Sequence, residues 1–392
     1  MTNNRENSDA VQLLDNLIGA AIESRASDIH FEPSHEGFNV RFRIDGILHP
    51  IQSLNSIMED QLVSRIKILS QMDIIEHRLP KDGYFEYSHK DQVYSIRVST
   101  MPEIYGESIV FRIHGIKEVI LNIEGLGLDP DQLDLLIKMI KSPNGMILVT
   151  GPTGSGKTSL LYSIINYLNS EEKNIMTIED PIEYRIENVR QTSVNTEVGL
   201  TFSTAMRSVL RQDPDILMLG EIRDGETALL GIQASLSGIL LLSTFHTFDL
   251  PALINRLVEM GVDRSIVAQA IRGVISVRLV RKICDSCKVE ITPSEEQLKL
   301  LPHELLGSKF YHGTGCEVCK NLGYIGRTGI FEIVDVDSEI RGSIFDAPPS
   351  SVVLDLLKKK NAKNLRVAAF NKVKDGVTTI DEALRVTGYL AD

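Results

Sequence analysis

The glycine-rich octapeptide at 151–158, GPTGSGKT, has the residue types and spacing that bind nucleotide phosphates. It follows the apolar run 146–150 and precedes the helix-like stretch 159–165, which predicts the strand, turn and helix that a phosphate-binding loop requires. Backbone N–H groups of such a loop close around a phosphate, and the start of the helix adds partial positive charge. The predicted nucleotide-binding residues are Gly151, Pro152, Thr153, Gly154, Ser155, Gly156, Lys157, Thr158 and Ser159.

Phosphoryl transfer also needs positive charge on the phosphates and a holder for the metal. Lys157 is expected to reach the β- and γ-phosphates of ATP, and Thr158 to place its hydroxyl on Mg²⁺. Glu221 follows the apolar strand 215–219, at the sheet edge where open α/β sheets bind ligands. We therefore predict that Glu221 holds Mg²⁺ together with Thr158, with an ordinary surface acid as the alternative.

A second acidic turn follows the predicted strand 174–178 and reads Glu179-Asp180-Pro181-Ile182-Glu183. We predict that Glu179 aligns or deprotonates the attacking water, as a general base would. Asp180 and Glu183 are interpreted as structural or as part of the outer shell of the metal. The alternative for this turn is a set of solvated acids with no catalytic role.

Cationic and histidine side chains complete the set of candidates. His246 follows the strand 239–244 and is expected to sense or contact the γ-phosphate; the alternative is a structural hydrogen-bonding histidine. A motor that works between subunits needs cations supplied across an interface, and an arginine finger can raise the rate by ~10³–10⁵. Arg207 and Arg211 are four residues apart on a helix-like stretch, so they share a face of the helix. The candidate arginines are Arg97, Arg112, Arg207 and Arg211, with ordinary surface arginines as the alternative.

The four cysteines form two C-x-x-C pairs, Cys284 with Cys287 and Cys316 with Cys319, separated by 28 residues. Two such pairs predict a closed tetrahedral Zn²⁺ site with four thiolates and a structural role. In a reducing compartment this pattern favours a metal over disulfides. Four free thiols are the alternative, and His312 is a minor competing ligand.

The composition is that of an ordinary globular protein with an acidic balance. The chain has 392 residues, and 41 basic against 53 acidic residues give a formal net charge of −12. This charge argues against broad nucleic-acid binding, which is usually carried by a basic field. No apolar run approaches the ~18 residues of a membrane span, and the first residues lack a signal-peptide pattern. We therefore expect a cytoplasmic protein with no direct nucleic-acid partner.

The sequence predicts four regions, and a linker at 115–130 leads from the first region into the second. Short alternating strands and two helices predict an α+β region, and strands that alternate with helices then predict an α/β region with a mostly parallel sheet. The predicted strands are 28–32, 38–44, 92–98, 109–113, 146–150, 174–178, 215–219 and 239–244, and the predicted helices of the first region are 10–24 and 59–72. The predicted boundaries are 10–114 for the α+β domain, 122–280 for the ATPase domain, 281–332 for the cysteine module and 333–392 for a helical region.

Motifs along nearly the whole chain, from about residue 10 to 390, resemble the secretion ATPase superfamily, which includes the type II secretion and type IV pilus assembly ATPases. The phosphate loop resembles its Walker A box, and the acidic turn, the Glu221 strand and the His246 segment resemble its Asp, Walker B and His boxes. The matching segments are SDIHFEP (27–33), VRFRIDGIL (40–48), RLPKDG (78–83), RVSTMPEIYGESIVFRI (97–113), TIEDPIEY (177–184), RSVLRQDPDILMLGEIRDGETA (207–228), STFHTFD (243–249) and GYIGRTGIFEI (323–333).

The resemblance implies a RecA-like P-loop ATPase domain, preceded by a PAS-like α+β domain and followed by a zinc module and C-terminal helices. It implies a cytoplasmic homohexamer, associated peripherally with the inner membrane, that docks on a polytopic platform protein and hydrolyses ATP to build a pilus or pseudopilus. Glu179 would be the catalytic glutamate, and the four candidate arginines would face phosphate. The tetracysteine site favours assembly over retraction, because retraction motors of the superfamily lack it.

Three positions depart from the usual motifs: Ile239 stands where a histidine is usual, Phe248 replaces an asparagine and Tyr84 replaces an arginine. These changes are expected to affect turnover or interface signalling rather than nucleotide binding. Longer relatives carry an extra N-terminal domain for docking, a role for which the helix 10–24 or another surface is the candidate here. The alternative functions are a nucleic-acid uptake or conjugation motor and a nucleotide-binding assembly scaffold that does not hydrolyse ATP.

Overall fold

A computed structural model of the chain describes residues 3–115, 122–346, 349–360 and 363–388. The chain divides into two compact units, residues 1–119 and 120–392, each with its own main sheet. Of the predicted linker 115–130, residues 116–121 lie outside the described residues. Within the described ranges, no helix combines the length and the apolar character that crossing a membrane requires.

The first unit is a six-stranded antiparallel sheet against which two helices pack. Its strand order is β3-β2-β1-β6-β5-β4. Ile29, Phe31 and Phe111 are fully buried, whereas Arg97 and Arg112 are exposed, because successive side chains of a strand point to opposite faces of the sheet. The elements are α1 (Asn3–Glu23), β1 (Ala26–Ser34), β2 (Gly37–Ile44), β3 (Ile47–Asn55), α2 (Ser56–Leu69), β4 (Lys81–His89), β5 (Gln92–Glu103) and β6 (Gly106–Gly115).

The second unit is built on a seven-stranded sheet of order β15-β12-β7-β11-β10-β8-β9, in which all neighbours are parallel except the pair β12 and β15. A small antiparallel pair, β13 with β14, lies outside this sheet. The predicted α/β class with a parallel-rich sheet is therefore confirmed. The strands are β7 (Gly145–Thr150), β8 (Ile175–Glu179), β9 (Arg190–Ser193), β10 (Ile216–Leu219), β11 (Leu240–Phe245), β12 (Ile271–Ile283), β13 (Lys288–Ile291), β14 (Phe310–Gly313) and β15 (Tyr324–Asp335).

The helices of this unit cover the sheet and bury its central strands. The strands β8, β10 and β11 are buried along their whole length, which is why their sequences are continuous apolar runs rather than alternating ones. The helices are α3 (Pro130–Ile140), α4 (Lys157–Leu168), α5 (Phe202–Val209), α6 (Gly225–Leu236), α7 (Leu250–Glu259), α8 (Arg264–Ala270), α9 (Glu295–Leu300), α10 (Ser338–Asp346), α11 (Ser350–Lys359), α12 (Leu365–Lys374) and α13 (Ile380–Thr387).

A buried ion pair joins the last helix to the sheet. The Glu382 carboxylate is fully buried and accepts hydrogen bonds from the Arg281 side chain at 2.9 and 3.1 Å and from Arg385 at 2.6 and 2.7 Å. Burial opposes the charged form, but the two guanidinium groups hold the pKa of Glu382 below its usual value. The pair therefore stabilises α13 against β12 at neutral pH.

Glu382→Ala is expected to destabilise the second unit by about 3–5 kcal/mol, because it leaves Arg281 buried without its carboxylate. Since the folded pKa is depressed, the stabilisation is present above the unfolded value and is lost as the pH falls through the folded pKa. Urea unfolding at pH 7 and at acidic pH measures both effects. Glu172→Ala, at an exposed position, is the control, and equal stability of the two variants at pH 7 would contradict the assignment.

Candidate active site

The loop between β7 and α4 has the conformation of a phosphate cradle. Gly151, Gly154 and Gly156 have φ angles of 152°, 73° and 95°, a region that side-chain-bearing residues rarely adopt. A Cβ added to Gly151 would lie 2.5 Å from Ser155 Oγ and 2.7 Å from the Val277 carbonyl, so glycine is also required there for space. Gly156 is the N-cap of α4, which therefore begins at the end of the loop.

The donors of this loop fit an anion. Lys157 is only 8 % exposed, and its ammonium donates to the carbonyls of Gly151 at 2.8 Å and Pro152 at 3.0 Å. Burial lowers the pKa of Lys157, and the nearby Glu221 carboxylate opposes that shift. Ser155 Oγ is buried and has no hydrogen-bond partner among the described residues. A buried cation and an unpartnered hydroxyl beside a helix N-terminus together suit a bound phosphate.

Four parallel strands bring the other candidates to the same edge of the sheet. Residue pairing is continuous from Ile178 to Leu219, from Leu219 to Ser243 and from Ser243 to Leu148, so β8, β10, β11 and β7 end side by side. The phosphate loop follows β7, and Glu179, Glu221 and His246 each lie at or just beyond the end of a neighbouring strand. This edge is where open α/β sheets bind ligands.

Glu221 is the centre of an ion cluster at this edge. Its carboxylate, 20 % exposed, pairs with Arg223 and lies 3.5 Å from His246 Nε2. Arg223 also lies 3.4 Å from Asp180 at the end of β8, and the two acids raise the pKa of Arg223. Our sequence reasoning did not single out Arg223; the signal available was its position two residues after the strand-end acid. The structure thus brings Lys157, Glu221 and His246 together.

Glu179 lies in a different environment from Glu221. It is 3 % exposed and accepts hydrogen bonds from Tyr162, from Thr177 Oγ1 at 2.5 Å and from Gln191 Nε2 at 3.1 Å. Burial and the Glu179 carboxylate raise the pKa of Tyr162. The Tyr162 hydroxyl also accepts from the backbone N–H of Glu183 at 3.3 Å, so it links α4 to the acidic turn. The water-aligning role of Glu179 stays a prediction, because protein donors occupy its carboxylate.

The candidate arginines form two separate pairs. On the first unit, Arg97 and Arg112 are directly paired residues of β5 and β6, and Arg112 Nε donates to Asp28 at 3.0 Å. On the second unit, Arg207 pairs with Glu226, and Arg211 donates to the Arg207 carbonyl at 2.6 Å. Each pair therefore shares one face, and contact of either pair with phosphate stays a prediction.

The four cysteines form the second candidate site. Their sulfur atoms all lie within 4.8 Å of one another, with Cys284–Cys316 at 3.8 Å, Cys287–Cys319 at 3.9 Å and Cys316–Cys319 at 3.7 Å. A tetrahedral site with Zn–S bonds of about 2.3 Å requires S···S distances of about 3.8 Å, so the thiols fit Zn²⁺. His312, the competing ligand, is not part of the cluster that the described residues form.

Local hydrogen bonds favour a thiolate in this cluster. Burial alone would raise the pKa of the Cys319 thiol, but the backbone N–H groups of Cys316 and Gly323, both 3.2 Å from its sulfur, lower it to about 6. Burial raises the pKa of Cys287 to about 11, so a cation is needed to hold this group as a thiolate at neutral pH.

Comparison with solved structures first shows which fold the chain shares. The chain is similar to the Legionella pneumophila ATPase DotB, with a TM-score of 0.69, 21 % identity and 95 % of this chain matched to 94 % of that one. It is also similar to the pilus retraction motor PilT, solved with bound ADP, with a TM-score of 0.60, 23 % identity and coverage of 95 % and 96 %. At these identities the likeness establishes a shared fold.

The sequence comparisons then establish the family: the chain belongs to the type II/IV secretion system protein family, whose model matches residues 3–385. It is 42 % identical to the type II secretion system protein E of Dickeya dadantii, over 96 % of this chain and 75 % of that protein. It is 41 % identical to the type IV pilus assembly ATPase PilB of Thermus thermophilus, over 97 % of this chain and 43 % of that protein. The family predicted from the motifs is confirmed.

Proposed function

We propose that this protein is a Mg²⁺-dependent ATPase that powers the assembly of a type IV pilus or of a type II secretion pseudopilus. The observation that carries the proposal is the convergence of the phosphate loop, Glu221 and His246 at one sheet edge, in a chain that belongs to this family. The names of the relatives support a role in filament assembly. One relative is a type II secretion protein and the other a type IV pilus assembly ATPase, so both systems are retained in the proposal.

The residues around the loop have distinct roles in the proposed reaction. The loop amides and Lys157 bind the β- and γ-phosphates of ATP, while Thr158 directly and Glu221 through a bound water would hold Mg²⁺. Bound Mg²⁺ neutralises charge that develops on the phosphate oxygens. His246, beside Glu221, orients that carboxylate and faces the γ-phosphate, and Arg223 balances the charge of the two acids when no metal does.

Glu179 is proposed to align the attacking water, with the network around Tyr162 setting its position. In this role the carboxylate exchanges one of its protein donors for water when the nucleotide is bound. The alternative is that Glu179 is a positioning residue that holds α4 and the acidic turn together. The two roles predict different effects of substitution at Tyr162.

We further propose that the working form is a homohexamer at the cytoplasmic side of the inner membrane, docked on a polytopic platform protein. Arg97 and Arg112, which share a face of the first unit, would reach the nucleotide of a neighbouring subunit, and Arg207 and Arg211 would add cations from the second unit. We also propose that each subunit is organised as predicted from the sequence. The α+β domain spans 10–114, the ATPase domain 122–280, the cysteine module 281–332 and the helical region 333–392.

Phosphate release by the purified protein with Mg²⁺ and ATP tests the proposed activity directly. We expect turnover that requires Mg²⁺ and rises when the platform protein is added. Turnover that rises instead with DNA would support the nucleic-acid motor. Nucleotide binding with no phosphate release, with and without the platform protein, would support the scaffold and would contradict the motor.

The cysteine cluster is proposed to hold one structural Zn²⁺. We expect one zinc per chain by elemental analysis, and its loss in Cys284→Ser, because three thiolates leave the tetrahedral site incomplete. Since structural zinc can contribute about 10–16 kcal/mol to the folding of a small module, residues 284–323 should become susceptible to proteolysis in that variant. Ser286→Ala, at an exposed position between the ligands, is the control. Full zinc content in Cys284→Ser would contradict the site.

A further inference from the structure

Arg278, on β12, lies against the beginning of the phosphate loop. A Cβ added to Gly151 would be 3.1 Å from Arg278 Nη1, so the guanidinium packs directly on the first glycine of the loop. The positive charge of Arg278 also lowers the pKa of Lys157, which places the two cations in the same electrostatic environment. Arg278 was not among the residues predicted from the sequence. The last strand predicted to carry a site residue is 239–244, and β12 comes after it in the chain.

The guanidinium of Arg278 is half-buried without a carboxylate partner. Its hydrogen bond is to the Val277 carbonyl at 2.9 Å, and no ion pair joins it to a carboxylate in the part of the chain that the structure describes. Burial lowers the pKa of Arg278, and Glu332, two residues along the neighbouring strand, opposes this shift only from a distance. Among the described residues the guanidinium thus has one hydrogen bond, to a carbonyl, and its other donors remain available to an anion.

The aromatic ring of Phe248 also lies next to this guanidinium. Its ring is 71 % exposed, and its centroid lies 5.9 Å from Arg278 Cζ, within the range of a cation–π contact. The carbonyl of Phe248 accepts from Ser276 Oγ at 3.4 Å, and Ser276 Oγ is 2.9 Å from Thr150 Oγ1 at the end of β7. The loop after β11 is thereby tied to the strand that leads into the phosphate loop. Phe248 is also the position where the sequence departs from the usual asparagine.

We propose, resting on the nucleotide-binding function above, that Arg278 is a further phosphate-binding residue of this site and that Phe248 is the positioning residue that orients it. The ligand is the polyphosphate of the nucleotide. The planar guanidinium suits two phosphate oxygens at once, and the aromatic ring restricts its orientation. Phe248, which replaces the usual asparagine, thus gives this site an aromatic ring that orients Arg278. Arg278 itself lies outside the Walker A, Asp, Walker B and His boxes.

Equilibrium binding of fluorescent ATP and ADP analogues to the full chain tests the proposal. Arg278→Gln is expected to weaken ATP and ADP binding at least about tenfold, because a charge-assisted hydrogen bond to phosphate is lost, with no change in the weak binding of adenosine. Arg278→Lys should recover part of the loss. Arg256→Gln, in an exposed ion pair on α7, is the matched control and should bind as the wild type does.

Substitutions at Phe248 give a second measurement that does not disturb the core. Phe248→Asn is expected to weaken ATP binding about two- to fivefold, because an exposed cation–π contact is lost. Phe248→Tyr keeps an aromatic ring at this position and is expected to bind ATP as the wild type does. Unchanged ATP and ADP affinity in Arg278→Gln, or in Phe248→Asn should Arg278→Gln not fold, would overturn the proposal. If the wild type itself binds no nucleotide, the function proposed above fails first, so the two failures are distinguishable.

Discussion

Lys157→Ala is expected to abolish nucleotide binding. The ammonium is buried beside the loop and is placed to neutralise the β- and γ-phosphates. Among the described residues it donates to the loop carbonyls of Gly151 and Pro152. Loss of a desolvated charge-assisted interaction with two phosphates should raise the Kd for ATP by at least about 10²-fold. Calorimetric titration with Mg²⁺ and a non-hydrolysable ATP analogue measures the change.

The alanine substitution also removes side-chain packing, so the fold must be checked separately. Lys173→Ala, at an exposed position before β8, is the matched control and should bind the analogue with the affinity of the wild type. Thermal unfolding of both variants without nucleotide should give similar midpoints. Tight binding of the analogue to a folded Lys157→Ala variant would contradict the assignment of the phosphate loop.

Glu179→Gln is expected to leave nucleotide binding nearly unchanged and to reduce turnover by about 10²–10⁴-fold, the usual contribution of a general base. The substitution keeps the size of the side chain, and its amide oxygen can accept the hydrogen bonds that Thr177 and Gln191 donate to one carboxylate oxygen. Its amide group then faces the Tyr162 hydroxyl in place of the second oxygen, and the negative charge that would take a proton from water is lost. Steady-state phosphate release, together with calorimetric titration, separates the catalytic constant from the affinity. Normal hydrolysis by this variant would show that Glu179 is not the base.

Tyr162→Phe distinguishes the two roles open to Glu179. The tyrosine hydroxyl joins Glu179 to the backbone of the acidic turn, and removal of the hydroxyl frees one carboxylate oxygen while breaking that link. If Glu179 is the base, Tyr162→Phe should retain most of the turnover and shift its pH profile. If Glu179 instead positions α4 and the turn, Tyr162→Phe should lose as much turnover as Glu179→Gln.

The fold could be predicted where burial gives a strong local signal. The continuous apolar runs at 146–150, 174–178, 215–219 and 239–244 correspond to β7, β8, β10 and β11, because strands covered on both faces must be apolar throughout. The strand β3 was not predicted, since most of its side chains are exposed and its sequence includes Pro50. β12 and β15 were also missed: their charged residues hide the pattern, and their antiparallel pairing is non-local.

In the candidate site, too, features with a local sequence pattern could be predicted, whereas contacts between distant elements could not. The phosphate loop could be predicted because its chemistry requires a fixed local spacing of glycine, lysine and threonine. Tyr162 and Arg278 could not be predicted, since each has its role through a partner on another element: Glu179 for Tyr162 and the loop at Gly151 for Arg278. A spacing pattern does not specify such partners, which depend on how the strands are ordered in the sheet.

We predict above all that the triphosphate of ATP binds at 151–158, with Glu221 beside its metal ion and His246 beside its γ-phosphate. A structure of the protein bound to Mg²⁺ and a non-hydrolysable ATP analogue tests this most directly. We predict that the β- and γ-phosphates lie on the loop amides and Lys157, with Mg²⁺ on Thr158 and within one water of Glu221. A nucleotide bound away from this loop, or a metal ion beyond reach of Glu221 through a bound water, would contradict the claim.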